Sequence, residues 1–160
     1  MEVTFSIWVG GELLGEEEVA ARIAALRPQL QALEETEGHL ILYNSTTTYN
    51  VTTFRDALVP LIASFCFDAV TNLAAGKDVT VPITAYDGTV SMKVEGDDVV
   101  VSGTDVKEER CPAVLLLEAL VDCGDRFIAL LKALHAGEPD WQARLAGWDR
   151  LAARARAALA

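Results

Sequence analysis

The spacing of apolar residues changes along this 160-residue chain from every second position to every third or fourth, and this restricts its fold. Residues 2–9 alternate between apolar and polar side chains, as in a strand with one buried face. Residues 78–103 alternate in the same way around turn sequences at 87–88 and 95–97, which predicts a three-stranded meander. A short apolar run at 39–43 predicts one more strand.

Helical spacing occupies the remaining apolar segments. It covers about residues 16–35, where Pro28 should kink or split the helix, and a nearly continuous apolar stretch at 54–73. Further helices are expected from Cys111-Pro112 to Leu134 and over 141–159. We therefore predict one α+β domain, residues 1–160, in the order β-α-β-α-β-β-β-α-α. A mostly antiparallel sheet would carry helices on one face and end in a C-terminal helical pair.

Pro82 restricts the first hairpin of the meander, because proline has no N–H to donate to a neighbouring strand. A two-residue loop at 87–88 would place Pro82 opposite Lys93 at a hydrogen-bonded position. A four-residue loop at 86–89 keeps the same pairs but reverses their hydrogen bonding. We predict the four-residue loop and a strand that lacks a full neighbour beside Pro82.

The charge is strongly negative and unevenly distributed. Lysine and arginine total 13 and aspartate and glutamate total 24, so the net charge is −11. This charge repels nucleic acid and anionic membranes and attracts a basic protein partner. Residues 141–160 carry four arginines and one aspartate, so we expect a positive last helix lying on a negative body. Without a membrane-length apolar run or a secretory signal, we expect a cytoplasmic protein.

Residues for catalysis or metal binding are scarce. Cys66, Cys111 and Cys123 are odd in number and lack metal-ligand spacing, which indicates buried thiols, although Cys111 at a helix N-terminus would have a lowered pKa. His39 and Ser45 would lie at opposite ends of one strand, too far apart for a catalytic pair. We predict no enzymatic activity, no metal site and no cofactor.

A polar, uncharged segment at residues 43–53 is the strongest candidate for a functional surface. Its hydroxyl, amide and tyrosine groups suit adaptable hydrogen bonding to a partner. The alternative is a structural turn, in which Thr52 or Thr53 caps the following helix. The predicted partner-binding residues are Tyr43, Asn44, Thr46, Thr48, Tyr49, Asn50, Trp8, Asp97 and Asp98.

In size, acidity, α+β layout with a meander and helical C-terminus, the chain resembles the small acidic immunity proteins that neutralise bacterial toxins. The resemblance implies docking on a basic toxin and occlusion of its active site. One alternative is an acidic secretion chaperone, which would act as a homodimer on an extended segment. Another is a small-ligand protein or enzyme in which residues 43–53 line a pocket beneath the meander.

Overall fold

The computed structural model describes residues 1–31, 33–46 and 50–160, and within them the chain forms two antiparallel four-stranded sheets and six α-helices. The strands are β1 Glu2–Val9, β2 Glu12–Gly15, β3 Glu37–Asn44, β4 Asn50–Ala57, β5 Val79–Ile83, β6 Gly88–Glu95, β7 Asp98–Gly103 and β8 Val106–Pro112. The helices are α1 Glu16–Ala21, α2 Ile23–Leu26, α3 Leu58–Ile62, α4 Val70–Ala74, α5 Ala113–Leu134 and α6 Gln142–Leu159. The α+β class, the antiparallel pairing and the C-terminal helical pair are confirmed.

The first sheet has the order β2-β1-β3-β4. Its inner face is apolar because alternate residues of each strand point the same way, so that Leu40 lies between Phe5 and Phe54. All three side chains are buried, and Phe5 meets Phe127 of α5 edge to face at 5.4 Å. This face therefore forms one wall of the core.

The second sheet has the order β5-β6-β7-β8, one strand more than the predicted meander. Its inner residues Met92 and Val101 pair across β6 and β7 and join the same hydrophobic cluster as the first sheet. The fourth strand, β8, runs through four consecutive charged residues, 107–110. Cys111 and Pro112 end this strand, and α5 begins at Ala113. Pro112 is therefore the residue before the helix, whereas the sequence predicted it as the first helical residue.

The predicted register of the first meander hairpin is wrong. Pro82 pairs with Thr89 and not with Lys93, and the four loop residues are 84–87. The shift has a long-range cause: Asp56 of β4 accepts hydrogen bonds from the backbone N–H and the hydroxyl of Thr84, at 2.9 and 2.7 Å, which holds Thr84 in the turn. Pro82 does lie on an edge strand, β5, as predicted.

The predicted helix over residues 16–35 is shorter and divided. β2 precedes it, helical structure is interrupted at Arg22, and α2 ends at Leu26, two residues before Pro28. A short 3₁₀ turn, Leu33–Glu35, then leads into β3. The predicted capping role of Thr52 and Thr53 is also wrong, because both lie within β4 and α3 begins only at Leu58.

The central helix is continuous but changes its winding. Between α3 and α4 runs a π-helical segment, Ala63–Ala69, which contributes Phe65, Cys66 and Phe67 to the core. It packs against α5 at Gly124, where an added methyl group would lie 2.7 Å from Cε1 of Phe67 and 2.9 Å from Cβ of Cys66. The two helices approach this closely because residue 124 has no side chain.

The last helix lies against the body through both apolar contacts and ion pairs. Trp148 of α6 meets Phe67 at 6.1 Å and Phe127 at 5.7 Å between ring centroids. Three arginines of α6 pair with acids of other elements, as expected for a positive helix on a negative body: Arg144–Glu34 at 3.0 Å, Arg154–Asp68 at 2.9 Å, and Arg156–Asp125.

Candidate functional site

The two ends of the segment at 43–53 belong to β3 and β4, which pair as an antiparallel hairpin. Asn44, the last residue of β3, is fully buried. Its amide group donates to a carboxylate oxygen of Glu109 and, at 3.1 Å, to the carbonyl of Arg110, both on β8. Its side-chain oxygen accepts from the N–H and the hydroxyl of Thr46, at 3.1 and 2.7 Å. Asn44 thus fixes the start of the loop and is not exposed to a partner.

Glu109 binds both arms of this hairpin. Its side chain is buried, and its second oxygen accepts a hydrogen bond from the amide of Asn50, the first residue of β4. Two neutral amides therefore satisfy one carboxylate at the junction of the two sheets. Asn44 and Asn50, both predicted to bind a partner, are engaged in this internal contact. The predicted residues Thr48 and Tyr49 lie outside the described residues, together with Thr47.

The outer face of the first sheet, opposite the core, carries the exposed large side chains Trp8, Leu13 and Val51. Their exposed fractions are 38%, 37% and 48%. Trp8 and Leu13 pair across β1 and β2, while Val51 pairs with Tyr43 across β3 and β4. We call this surface the outer face; its members are Glu2, Thr4, Ser6, Trp8, Leu13, Glu37, His39, Ile41, Tyr43, Val51, Thr53 and Arg55.

An acidic groove of about 610 Å³ adjoins the outer face beside Tyr43. Its acidic lining residues are Glu2, Glu16, Glu17 and Glu18. The groove lies beside the first half of β1, which β2 is too short to pair with. Arg126 of α5 contacts this part of β1. Arg126 donates to the carbonyl of Val3 at 2.6 Å and to Glu16 at 2.8 Å. The groove therefore keeps an excess of negative charge after this cation is paired.

His39 lies on the outer face as a neutral group. Burial, and secondly the positive charge of Arg55, lower the pKa of His39 below its usual value. Its ring meets Trp8 edge to face, with 6.3 Å between centroids. Ser45 lies six residues further along the chain, about 20 Å away at strand spacing, so the two side chains do not form a catalytic pair.

Asp97 and Asp98 lie on the second sheet, away from the strands that carry Trp8 and Tyr43. Asp98 pairs with Arg110 at 3.3 Å, and the carbonyl of Asp97 accepts the N–H of Ala113 at 2.8 Å. The structure thus brings Trp8 and Tyr43 onto one face and places the two aspartates at the start of α5. Thr46 is exposed at the start of the hairpin loop.

Sequence analysis did not identify several of the exposed residues. Leu13 belongs to β2, and the Gly10-Gly11 pair followed by an apolar residue was a hairpin signal for it. No sequence signal marks Val51, because it lies within the polar segment at 43–53. Val114 and Leu115 form a second exposed apolar pair, 67% and 43% exposed, on the first turn of α5; they lie outside the buried stripe of that helix.

All three thiols are buried. Burial, with the nearby charge of Glu109, raises the pKa of Cys111 to about 12, contrary to the lowered value that a helix N-terminus would have produced. Burial and the neighbouring Cys123 also raise the pKa of Cys66. Among the residues that the structure describes, no group of three His, Cys, Asp or Glu side chains could hold a metal ion.

Comparisons with protein-family models, curated proteins and solved structures found no match to this chain. In the described part of the chain no helix has both the length and the apolarity needed to cross a bilayer.

Proposed function

We propose that this protein is a non-enzymatic binding module that captures a basic protein partner on the outer face of its first sheet. The observation that carries the proposal is the position of exposed Trp8, Leu13 and Val51 on the same sheet as the acidic groove. Aromatic side chains such as that of Trp8 are frequent hot spots of binding energy at protein interfaces, especially when polar groups surround them.

Charge complementarity supports a basic partner. A groove lined by four glutamates attracts lysine and arginine side chains, and a net charge of −11 accelerates the encounter with a positive surface. Three of the four arginines of α6 detract little from this attraction, because Arg144, Arg154 and Arg156 are paired with acids of the body.

Among basic partners we favour a bacterial toxin, which makes the protein a cytoplasmic immunity protein. The acidity and the small α+β architecture support this assignment through their resemblance to that class. The buried state of the three thiols and the isolation of His39 from Ser45 support a role without catalysis. In this role the outer face covers the active site or the substrate surface of the toxin.

The alternative of a ligand site beneath the meander receives little support. The void between the sheets measures about 10 Å³, and its lining consists of Val3, Leu40, Leu42, Phe54, Phe65, Met92, Val101, Leu116 and Leu120, with no hydroxyl group. A void of this size holds no ligand larger than one water molecule. A homodimeric secretion chaperone remains the second candidate.

Co-expression with the toxic product of a neighbouring gene tests the proposal. We expect the wild-type chain to restore growth and to co-purify with the toxin as a complex containing one copy of each chain. Trp8→Ala should weaken binding at least about tenfold, as expected for an aromatic anchor. Val114→Ala removes another exposed apolar side chain, on α5, and serves as the matched control.

Three outcomes would contradict the proposal. The first is a neighbouring toxin that is neither bound nor neutralised. The second is equal loss of affinity in the Trp8 and Val114 variants, which would place the interface elsewhere. The third is a stable homodimer that captures unfolded segments, which would favour the chaperone. Thermal unfolding of both variants verifies that their folds are intact.

A further inference from the structure

A second concave surface lies between α6 and the body, on different elements from the outer face. This aromatic cleft has a volume of about 440 Å³, within the usual range of small-molecule sites. Its apolar walls are Leu33, Val59, Leu131, Trp141, Trp148 and Leu151. Its polar side chains are Glu34 and Arg144, and Gly147 of α6 completes the lining.

Gly147 is placed where packing does not require a glycine. It lies inside α6, where glycine costs about 0.5–1 kcal/mol relative to alanine. A methyl group at this position would meet only Nη2 of Arg150, at 3.6 Å, which is ordinary contact. Gly124 differs, since there a methyl group would collide with Phe67. The effect of Gly147 that the structure shows is to leave space in the cleft.

Neighbouring side chains hold the two tryptophans of the cleft in place. The ring of His135 stacks on Trp141 with 3.5 Å between centroids and 8° between planes. Phe67 and Phe127 contact Trp148 in edge-to-face geometry. Walls with fixed rotamers bind a ligand without first losing side-chain entropy. The cleft is therefore formed before any ligand enters.

Arg144 supplies a positive charge whose present partner is easily replaced. Its guanidinium lies 4.9 Å from the Trp141 ring centroid and pairs with Glu34 at 3.0 Å. Both side chains are more than half exposed, at 58% and 61%, and such surface pairs contribute little free energy. The existing pair also shows that a carboxylate fits against Arg144 beside the cleft.

We infer that the aromatic cleft binds a small, planar, apolar molecule that carries a carboxylate. The apolar part lies against Leu131, Trp148 and Leu151, and the carboxylate takes the place of Glu34 on Arg144. This inference does not depend on the proposed protein partner, because no residue of the cleft belongs to the outer face or the acidic groove.

Isothermal titration of the full chain with 2-naphthoate tests the inference, with uncharged 2-naphthylmethanol as the matched ligand. We expect saturable 1:1 binding of 2-naphthoate. Gly147→Leu should weaken it at least about tenfold, since the added side chain fills the cleft. Ala153→Leu adds the same bulk at an exposed position of α6 and should bind as the wild type does.

Arg144→Gln separates the contribution of charge from that of shape. It should weaken 2-naphthoate about fivefold and leave 2-naphthylmethanol unchanged, because only the carboxylate pairs with the guanidinium. The inference fails if 2-naphthoate does not saturate the wild-type protein, if Gly147→Leu binds it unchanged, or if Arg144→Gln weakens both ligands equally. Thermal unfolding of each variant establishes that the loss is local.

Discussion

At the scale of single residues, the least expected feature is a buried carboxylate that forms no ion pair within the described part of the chain. Glu109 lies between the two sheets, where burial of a charge is costly, and the amides of Asn44 and Asn50 satisfy its two oxygens. Asn44 also binds the carbonyl of Arg110 and the start of the hairpin loop. One asparagine thus joins the first sheet, the second sheet and a loop.

Asn44→Ala should lower the free energy of unfolding by about 2–3 kcal/mol, because it leaves a buried carboxylate oxygen and a carbonyl without donors. Urea unfolding measures the change. Asn72→Ala is the matched control: Asn72 is exposed on α4, so its replacement should alter stability by less than about 0.5 kcal/mol. Equal stability of the two variants would show that the network contributes nothing.

At the scale of elements, the π-helical segment and α5 approach each other closely in the core. Gly124 permits it, since Phe67 and Cys66 occupy the space that a side chain would need. The wider winding of Ala63–Ala69 places Phe65, Cys66 and Phe67, three consecutive residues, in the core. This close packing of the π-helical segment requires a glycine at the facing position of α5.

Gly124→Ala should therefore destabilise the protein by about 1–2 kcal/mol, because overpacking outweighs the better helix propensity of alanine. Gly147→Ala makes the same substitution in α6 without a collision and should stabilise by about 0.5–1 kcal/mol. Opposite signs in thermal unfolding would establish that packing decides the effect. A stabilised Gly124 variant would contradict the close contact.

Sequence periodicity predicted elements well where one face is apolar over many residues, as in β1, α5 and α6. It failed for β8, whose charged residues 107–110 hide the alternation, and for β4, whose threonines were interpreted as a helix cap. Both strands are edges of their sheets and owe their conformation to pairing partners distant in sequence. The shifted β5–β6 register likewise depends on a residue distant in sequence, because it follows from the contact of Asp56 with Thr84.

The candidate site was predictable only in part. Trp8 lies on the polar side of the first predicted strand, which left both packing under a helix and exposure open, and Tyr43 was identified only as part of the polar segment at 43–53. Leu13 and Val51 join them only through the lateral pairing of four strands, which local spacing does not reveal. Asn44 and Asn50 looked like surface amides, but the buried Glu109 that binds them lies about sixty residues away in sequence.

At the scale of the whole molecule, the distribution of charge matters more than its sum. Three of the four arginines of α6 pair with Glu34, Asp68 and Asp125, so part of the acidic surface is neutralised on that side. The acidic groove holds four glutamates against Arg126, which is already paired with Glu16. The field should therefore guide a basic partner towards the first sheet.

This asymmetry predicts which acids control association with the proposed basic partner. Glu17→Gln with Glu18→Gln should slow association several-fold at low salt, because these side chains line the groove. Glu108→Gln with Glu118→Gln removes the same charge from exposed positions outside the groove and is the matched control.

Stopped-flow association rates between about 50 and 500 mM salt measure the effect, and the wild-type rate should fall about tenfold over that range as steering is screened. Dissociation rates should change far less, because exposed charges act mainly on the encounter. Equal slowing in both double variants would mean that net charge alone steers the partner, and an association rate independent of salt would exclude steering altogether.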